Sequence, residues 1–315
     1  MLAPRYRVLL VLLSLLFASC AKTAQQSSTG SGGAAAERPV APTIQPHRVL
    51  TVCADPNNLP FSNDRFEGFE NKLAELIARD MGAELKYVWR AQRRGFFRHA
   101  FKDDGADVVM GVPAGFERAL TTKPYYRSSY VFVTRKTDGP AVKSFDDEVL
   151  HKVKVGIQIT GEDGQNPPPA YALARRGIID NVVGYTVYGD YTEQNPPARV
   201  VDAVANREVD VAVVWGPLAG YFARRGRVPL DINPVSPAME PPGLPFAFSI
   251  AVGVRKNGTE LRDEIDAILA RRHDDVSRIL DEFGVPRVPI PAARPAEATA
   301  ARDKAAADAP EECCQ

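Results

Sequence analysis

Two adjacent arginines, Arg93 and Arg94, have the clearest chemical character in the sequence because they stand at the start of a predicted helix. Positive side chains at a helix N-terminus oppose the helix dipole, so they are unfavourable unless an anionic group faces them. A bound ligand, an acidic residue of a partner protein or an internal carboxylate such as Asp55 could supply that group. The pair is therefore a candidate binding feature, with internal pairing as the structural alternative.

Motifs for catalysis and for metal binding are absent from the sequence. No GxSxG, HExxH or P-loop pattern occurs, and the acidic neighbours Glu162 and Asp163 are typical of a solvated loop. The four cysteines and four histidines show no ligand spacing. We therefore expect a protein that is not an enzyme and that holds no metal and no cofactor.

The charge balance excludes two classes of partner. The chain has 39 basic and 39 acidic residues, which are interspersed and give a formal net charge of zero. Nucleic-acid binding and direct electrostatic attraction to a membrane both require a basic surface. We expect no nucleic-acid partner, and membrane contact only through a lipid anchor.

The N-terminus has the pattern of an export signal. Arg5 and Arg7 precede an apolar run over 8–17, which is too short to span a bilayer, and small residues lead to Cys20. The placement of Cys20 is similar to the lipobox of bacterial lipoproteins, although Phe17 departs from that pattern. We expect a periplasmic protein that is lipid-anchored through Cys20; ordinary signal cleavage is the alternative.

Composition divides the remaining chain into a folded body and two polar ends. Residues 21–46 and 291–315 are rich in Ala, Pro, Gly and polar residues, so they are predicted to be a flexible linker and a disordered tail. The folded body is predicted over 47–290.

Strand and helix patterns alternate along the body, which predicts an α/β fold built from βαβ units around parallel strands. The alternation of strands and helices occurs twice along the body, so we expect two open lobes with a central cleft. Lobe 1 is predicted over 47–136 plus 236–290, and lobe 2 over 137–235. Crossovers are predicted near 135–137 and 234–242. The predicted strands are 48–54, 84–89, 107–110, 130–135, 153–158, 182–187, 210–215 and 248–254. The predicted helices include 68–80, 93–101, 169–176, 197–206 and 274–283.

Several motifs are similar to those of solute-binding proteins of family 3, the amino-acid-receptor type. They are LPF at 59–61, GFENKLA at 68–74, DVVMG at 107–111, FER at 116–118 and PYY at 124–126. This resemblance implies the type II periplasmic binding protein fold for the whole body.

Longer runs resemble a narrower group, the periplasmic binding proteins associated with quinoprotein methanol dehydrogenases (MxaJ/XoxJ type). These runs include CADPNNLPFSN (53–63), QRRGFFR (92–98), GVPAGFE (111–117), TTKPYYRSSYVFV (121–133), NVVGYTVYGDY (181–191) and VDVAVVWGPLAGYFA (209–223). The resemblance implies an accessory protein whose partner is a PQQ-dependent alcohol dehydrogenase, acting with its cytochrome c acceptor. The alternative is a receptor that delivers a small organic molecule or anion to an ABC transporter.

The resemblance also implies cleft positions. Arg118 falls where amino-acid receptors bind a ligand carboxylate, and Thr160 where backbone amides meet that carboxylate; a surface ion pair and an ordinary turn are the alternatives. Trp215 stands where such receptors carry an Asp for the ligand ammonium, so an amino-acid ligand is disfavoured. The predicted cleft residues are Asp55, Asn57, Phe61, Arg93, Arg94, Arg118, Tyr126, Gln158, Thr160 and Trp215.

The same comparison bears on Cys53. Members of the family have a cysteine at the position of Ala106, which would pair with the equivalent of Cys53. This chain lacks that partner, so the family's internal disulfide is not expected here.

Overall fold

The computed structural model describes residues 48–159, 167–187 and 191–291. The linker, the tail beyond 291, Cys20 and Thr160 lie outside these ranges. Within them, no helix is long and apolar enough to cross a lipid bilayer.

The first part of the chain alternates strands with helices. Its elements are β1 (Val49–Ala54), β2 (Asn57–Asn58), β3 (Ser62–Asn63), α1 (Phe69–Asp80), β4 (Glu84–Trp89), α2 (Phe96–Lys102), β5 (Val108–Pro113), β6 (Leu120–Thr121) and β7 (Tyr126–Arg135).

The same alternation continues to the end of the described chain. Its elements are β8 (Val155–Ile159), α3 (Pro168–Arg175), β9 (Val182–Thr186), α4 (Arg199–Ala205), β10 (Val211–Trp215), α5 (Gly216–Arg225), β11 (Leu230–Pro234), β12 (Met239–Glu240), β13 (Leu244–Pro245), β14 (Ala247–Val254), α6 (Thr259–Arg271) and α7 (His273–Glu282).

Two sets of parallel strands flank a central antiparallel pair. Among the described residues the strand order is β4-β1-β5-β14-β7-β10-β8-β9, with β6 on β14 and β11 on β7. β1 is parallel to β4 and β5, and β8 is parallel to β10 and β9. We call β4-β1-β5-β14 the first half-sheet and β10-β8-β9 with β11 the second half-sheet.

Strand β7 belongs to both half-sheets. Tyr126 to Ser129 pair antiparallel with β14, and Tyr130 to Arg135 pair antiparallel with β10 and β11. The exchange of partners therefore occurs between Ser129 and Tyr130, before the crossover predicted near 135–137. The reason is that β7 is one buried strand of ten residues, whereas its sequence pattern indicated a strand from 130 only. The lobe limits drawn from the sequence stay a prediction.

Helices cover both faces of each half-sheet, as parallel strands require. Helices α1, α6 and α7 pack on one face of the first half-sheet around Phe69, Leu73 and Ile268, while α2 packs on the other around Phe96. In the second half-sheet α3 covers one face, and α4 and α5 cover the other. Each face therefore has its own apolar core.

Helix α2 begins later than the sequence predicted. Its first residue is Phe96, and Gly95 precedes it with a positive φ of 84°. A glycine in the left-handed region interrupts helical hydrogen bonding without the strain that a side chain would add. Arg93 and Arg94 consequently lie in the loop before the helix and not in its first turn.

Helix α5 packs closely on two neighbours, the end of α7 and strand β7, because the α5 residue at each contact is a glycine. A Cβ atom on Gly220 would lie 2.0 Å from the carbonyl oxygen of Gly284, and one on Gly216 would lie 2.7 Å from the Ser129 carbonyl oxygen. The second contact is to β7 at the point where it exchanges partners. Glycine at these positions is therefore a steric requirement of the packing.

We expect Gly220→Ala to lower the free energy of unfolding by about 1–3 kcal/mol, because the added methyl group must displace a backbone carbonyl. Urea denaturation followed by circular dichroism measures this. Gly226→Ala is the matched control, since its Cβ would meet no atom closer than 3.4 Å. Equal stabilities of the two variants would contradict the packing constraint.

Candidate functional site

The predicted site residues cluster where parallel strands end. Asp55 follows β1, Arg93 and Arg94 follow β4, and Arg118 follows β5. Trp215 ends β10 in the second half-sheet. Ligand sites of open α/β sheets lie at these carboxyl ends, so the topology brings most of the predicted set to the edge where a site is expected.

Asp55 organises the loops at the end of the first half-sheet. One carboxylate oxygen accepts the backbone N–H of Asn57 at 2.8 Å, and the other accepts that of Gln92 at 2.7 Å. The residue is only 3% exposed. Burial raises the pKa of Asp55, while the two N–H donors, the Tyr191 hydroxyl and the charge of Arg93 oppose that rise. The carboxylate is thus used for internal bonding.

A contact joins the end of the first half-sheet to the segment that follows β9. The Tyr191 hydroxyl lies close enough to the Asp55 carboxylate to lower the pKa of that group, and the Asn57 side-chain amide donates a hydrogen bond to the Glu193 carbonyl oxygen at 2.8 Å. The Glu193 carboxylate in turn pairs with Arg199 at the start of α4. We call residues 191–199 the bridging segment. It connects the two half-sheets on the side where their parallel strands end.

The arginines of the predicted site behave differently from one another. Arg93 lies close enough to Asp55 for its charge to lower the pKa of that carboxyl group, which agrees with the internal alternative. Arg94 and Arg118 are exposed, and among the described residues neither donates a hydrogen bond nor forms an ion pair. The surface ion pair that was the alternative for Arg118, with Glu117 or Asp107 as its acidic partner, is not observed. Asp107 instead pairs with Arg255 at 2.7 Å.

Gln158 and Trp215 form one unit in the second half-sheet. The buried Gln158 side chain accepts the backbone N–H of Trp215 at 2.7 Å. The half-buried indole ring lies 5.5 Å from the ring of Tyr130 and 6.0 Å from that of Phe248, in edge-on contacts. Trp215 therefore packs at the junction of the two half-sheets.

Tyr126, which was predicted as a cleft residue, lies in the apolar core. It is 2% exposed and opens β7, where its ring packs edge-on against Phe69 at 6.1 Å. Phe61 is half-buried and also packs on Phe69, at 5.4 Å. Both rings belong to the core beneath α1. The aromatic motif around Pro124 indicated a loop, and the sequence had no signal that β7 starts within it.

Glu70 is a candidate site residue that sequence reasoning missed. It lies in the first turn of α1, and its carboxyl group lies over Gly111 so closely that a Cβ there would come within 2.1 Å of Glu70 Oε1. Burial alone raises the pKa of Glu70 to about 8. The nearby Tyr125 hydroxyl is buried and makes no well-formed hydrogen bond among the described residues. The signal was available, because Glu70 occupies the acidic position of the GFENKLA motif.

The site can bind but has no arrangement for catalysis or metal binding among the described residues. No group of three or more His, Cys, Asp or Glu side chains there could hold a metal ion. Cys53 is a free thiol in the core beside Ala106, and burial raises its pKa to about 12. A carboxyl group with a raised pKa, an unsatisfied tyrosine hydroxyl and exposed arginines can instead hold a small polar ligand or a partner side chain.

We expect Tyr191→Phe to loosen the bridging segment, because the mutation removes the hydroxyl group that favours the charged form of the buried Asp55 carboxyl group. Backbone amides of Asn57, Gln92 and the bridging segment should exchange with deuterium faster, and the pKa of Asp55 should rise further. Tyr171→Phe is the control, since Tyr171 is exposed and not hydrogen-bonded within the described chain. Unchanged exchange at these amides in Tyr191→Phe would contradict the bridge.

We expect Glu70→Gln to stabilise the protein above about pH 4.5, by an amount that grows up to about pH 8. Below pH 4.5 the carboxyl group is protonated in both folded and unfolded states; between 4.5 and about 8 the unfolded state loses its proton first, so wild-type stability falls. The variant lacks this loss and should be more stable by about 2 kcal/mol at pH 8.5, with no difference at pH 4. Glu260→Gln, at the same position of the exposed first turn of α6, is the control for denaturation curves. A pH-independent difference would contradict the raised pKa.

Comparison with known proteins gives the family. Residues 50–285 match the bacterial extracellular solute-binding proteins, family 3. The chain is 34% identical over 287 residues to protein MoxJ of Methylorubrum extorquens, covering 88% of this chain and 93% of that protein. It is 32% identical over 272 residues to protein MoxJ of Paracoccus denitrificans, covering 82% and 95%.

A solved structure agrees with these relatives. The periplasmic binding protein XoxJ from Methylobacterium extorquens AM1 superposes with a TM-score of 0.62 at 32% identity, covering 77% of this chain and 100% of that chain. The predicted family resemblance, the type II periplasmic binding fold and the non-enzymatic class are confirmed. This chain belongs to the bacterial extracellular solute-binding proteins of family 3.

Proposed function

We propose that this chain is a periplasmic accessory binding protein that assists the assembly or activation of a PQQ-dependent alcohol (methanol) dehydrogenase, acting with that enzyme's cytochrome c. Its similarity to the MoxJ proteins extends over more than four fifths of the chain, and XoxJ shares its fold over 100% of that chain. Similarity of this extent supports a shared function and not only a shared fold.

The environment of Trp215 is the observation that carries the proposal. The amino-acid receptors that this chain resembles have an acidic side chain at the end of this strand, where it binds the ammonium group of the ligand. Here an indole fills the position and packs between Tyr130 and Phe248. An indole bears no charge that could replace the carboxylate, so the scaffold is poorly suited to amino-acid uptake.

The contact between Tyr191 and Asp55 supports the same conclusion. A transport receptor must open and close around its ligand, whereas here side chains of the chain itself join the bridging segment to the end of the first half-sheet. We propose that the folded body presents its surface to the dehydrogenase. We further propose the lobe limits given above, export by the N-terminal signal, and a lipid anchor at Cys20.

An ABC-transporter receptor for a small organic molecule is the second candidate function. The observation that favours it is that Glu70 and the unsatisfied Tyr125 hydroxyl lie close to each other, near Gly111 of β5. A metabolite that raises the melting temperature of the wild type, but not of Glu70→Gln, would support this candidate.

We expect the tagged full-length protein to co-purify with the dehydrogenase from its own host, and deletion of its gene to reduce dehydrogenase activity in cell extracts. The physical reason is that an accessory protein must contact the enzyme while it matures. Re-expression of the wild-type chain should restore activity. Failure to co-purify, together with unchanged activity in the deletion strain, would overturn the proposal.

A further inference from the structure

We infer that the exposed face of helix α2 docks on an acidic surface of the partner dehydrogenase. This inference rests on the proposed function and adds the surface of contact and the chemistry of its counterpart. The surface is formed by Arg98 and Lys102 of α2 together with Arg94 in the loop before it, and we call these three residues the basic stripe.

The geometry of α2 aligns this stripe. Phe96 and Ala100 are four residues apart and buried against the first half-sheet. Arg98 and Lys102 share the same spacing and are exposed, so they lie side by side on the opposite face of the helix. Arg94 is also exposed and lies two residues before the helix begins.

The positive charges of the stripe are not neutralised within the described chain. Neither Arg94, Arg98 nor Lys102 forms an ion pair there; Arg98 contacts only a ring nitrogen of His99 at 3.2 Å. Many arginines elsewhere on the surface are paired with carboxylates, such as Arg48 with Glu264 and Arg278 with Asp275. An uncompensated row of charge in a protein with zero net charge is therefore a local feature of this face.

The surroundings extend the positive surface and fix it on a rigid base. Phe97 of α2 lies 4.5 Å from Phe116, which holds the turn bearing the unpaired Arg118 against the helix. The acidic residues nearby are Asp103, which is bonded to His99, Asp104, which pairs with Arg90, and the exposed Glu117. Arginines presented beside half-buried aromatic rings are the composition of protein interface hot spots.

The stripe fits an acidic protein surface better than an anionic membrane. Helices that bind membranes combine basic residues with large exposed apolar side chains that enter the lipid. None of the exposed large apolar residues of the described chain is on α2. A carboxylate-bearing protein face needs only charge complementarity and geometry, both of which the stripe offers.

The test measures binding of the purified dehydrogenase to the full-length mature protein at low and at physiological ionic strength. We expect Arg94→Glu/Arg98→Glu/Lys102→Glu to weaken binding at least tenfold at low salt and to abolish the salt dependence. The control Lys143→Glu/Lys152→Glu/Arg227→Glu makes the same charge change at exposed, unpaired positions and should bind within about twofold of wild type. Thermal unfolding curves verify that both variants are folded.

The outcomes separate the inference from the proposed function. Absence of binding by the wild type would overturn both. Wild-type binding that the stripe variant retains, or that the control variant loses equally, would overturn the docking surface and leave the proposed function intact. Phosphatidylglycerol vesicles are the second probe. Loss of vesicle binding by the stripe variant, with dehydrogenase binding unchanged, would also overturn the inference.

Discussion

The fold depends on one strand that two half-sheets share. β7 gives its first four residues to β14 and its last six to β10 and β11, so backbone hydrogen bonds run without interruption from one half to the other. Helix α5 packs on β7 at the point where the strand changes partners, with Gly216 against the Ser129 carbonyl. Trp215 and Tyr130 fill the space directly beside it. Trp215 and Phe248 contact the apolar cores of both half-sheets, so side-chain packing also continues across the junction.

Regular elements followed from the sequence because their signals are local. Alternating apolar residues predicted each parallel strand to within a few residues, and helical spacing predicted α1 and α7. Errors arose where tertiary contacts decide the outcome. Gly95 adopts a left-handed conformation that delays α2, and the burial of Tyr126 depends on Phe69, which is distant in sequence. The exchange of partners in β7 leaves no local pattern at all.

The candidate site was predictable in location more than in detail. Strand ends indicated where Asp55, the arginines and Trp215 would gather, since topology alone brings those ends together. Which groups remain available could not be predicted, because Asp55 is used by two backbone N–H groups and Tyr191, while Glu70 is isolated by burial. Each of these outcomes depends on contacts in the folded structure, most of them between residues far apart in sequence.

The contact between Cys53 and Ala106 determines whether the described body depends on thiol oxidation. Cys53 and Ala106 lie together in the small core beneath α2, where a cross-link between β1 and the strand beside it would otherwise be possible. The described body instead holds β1 and β5 together by packing and backbone hydrogen bonds. Cys53 is the one cysteine of the described residues, so no disulfide forms among them and their packing does not depend on thiol oxidation.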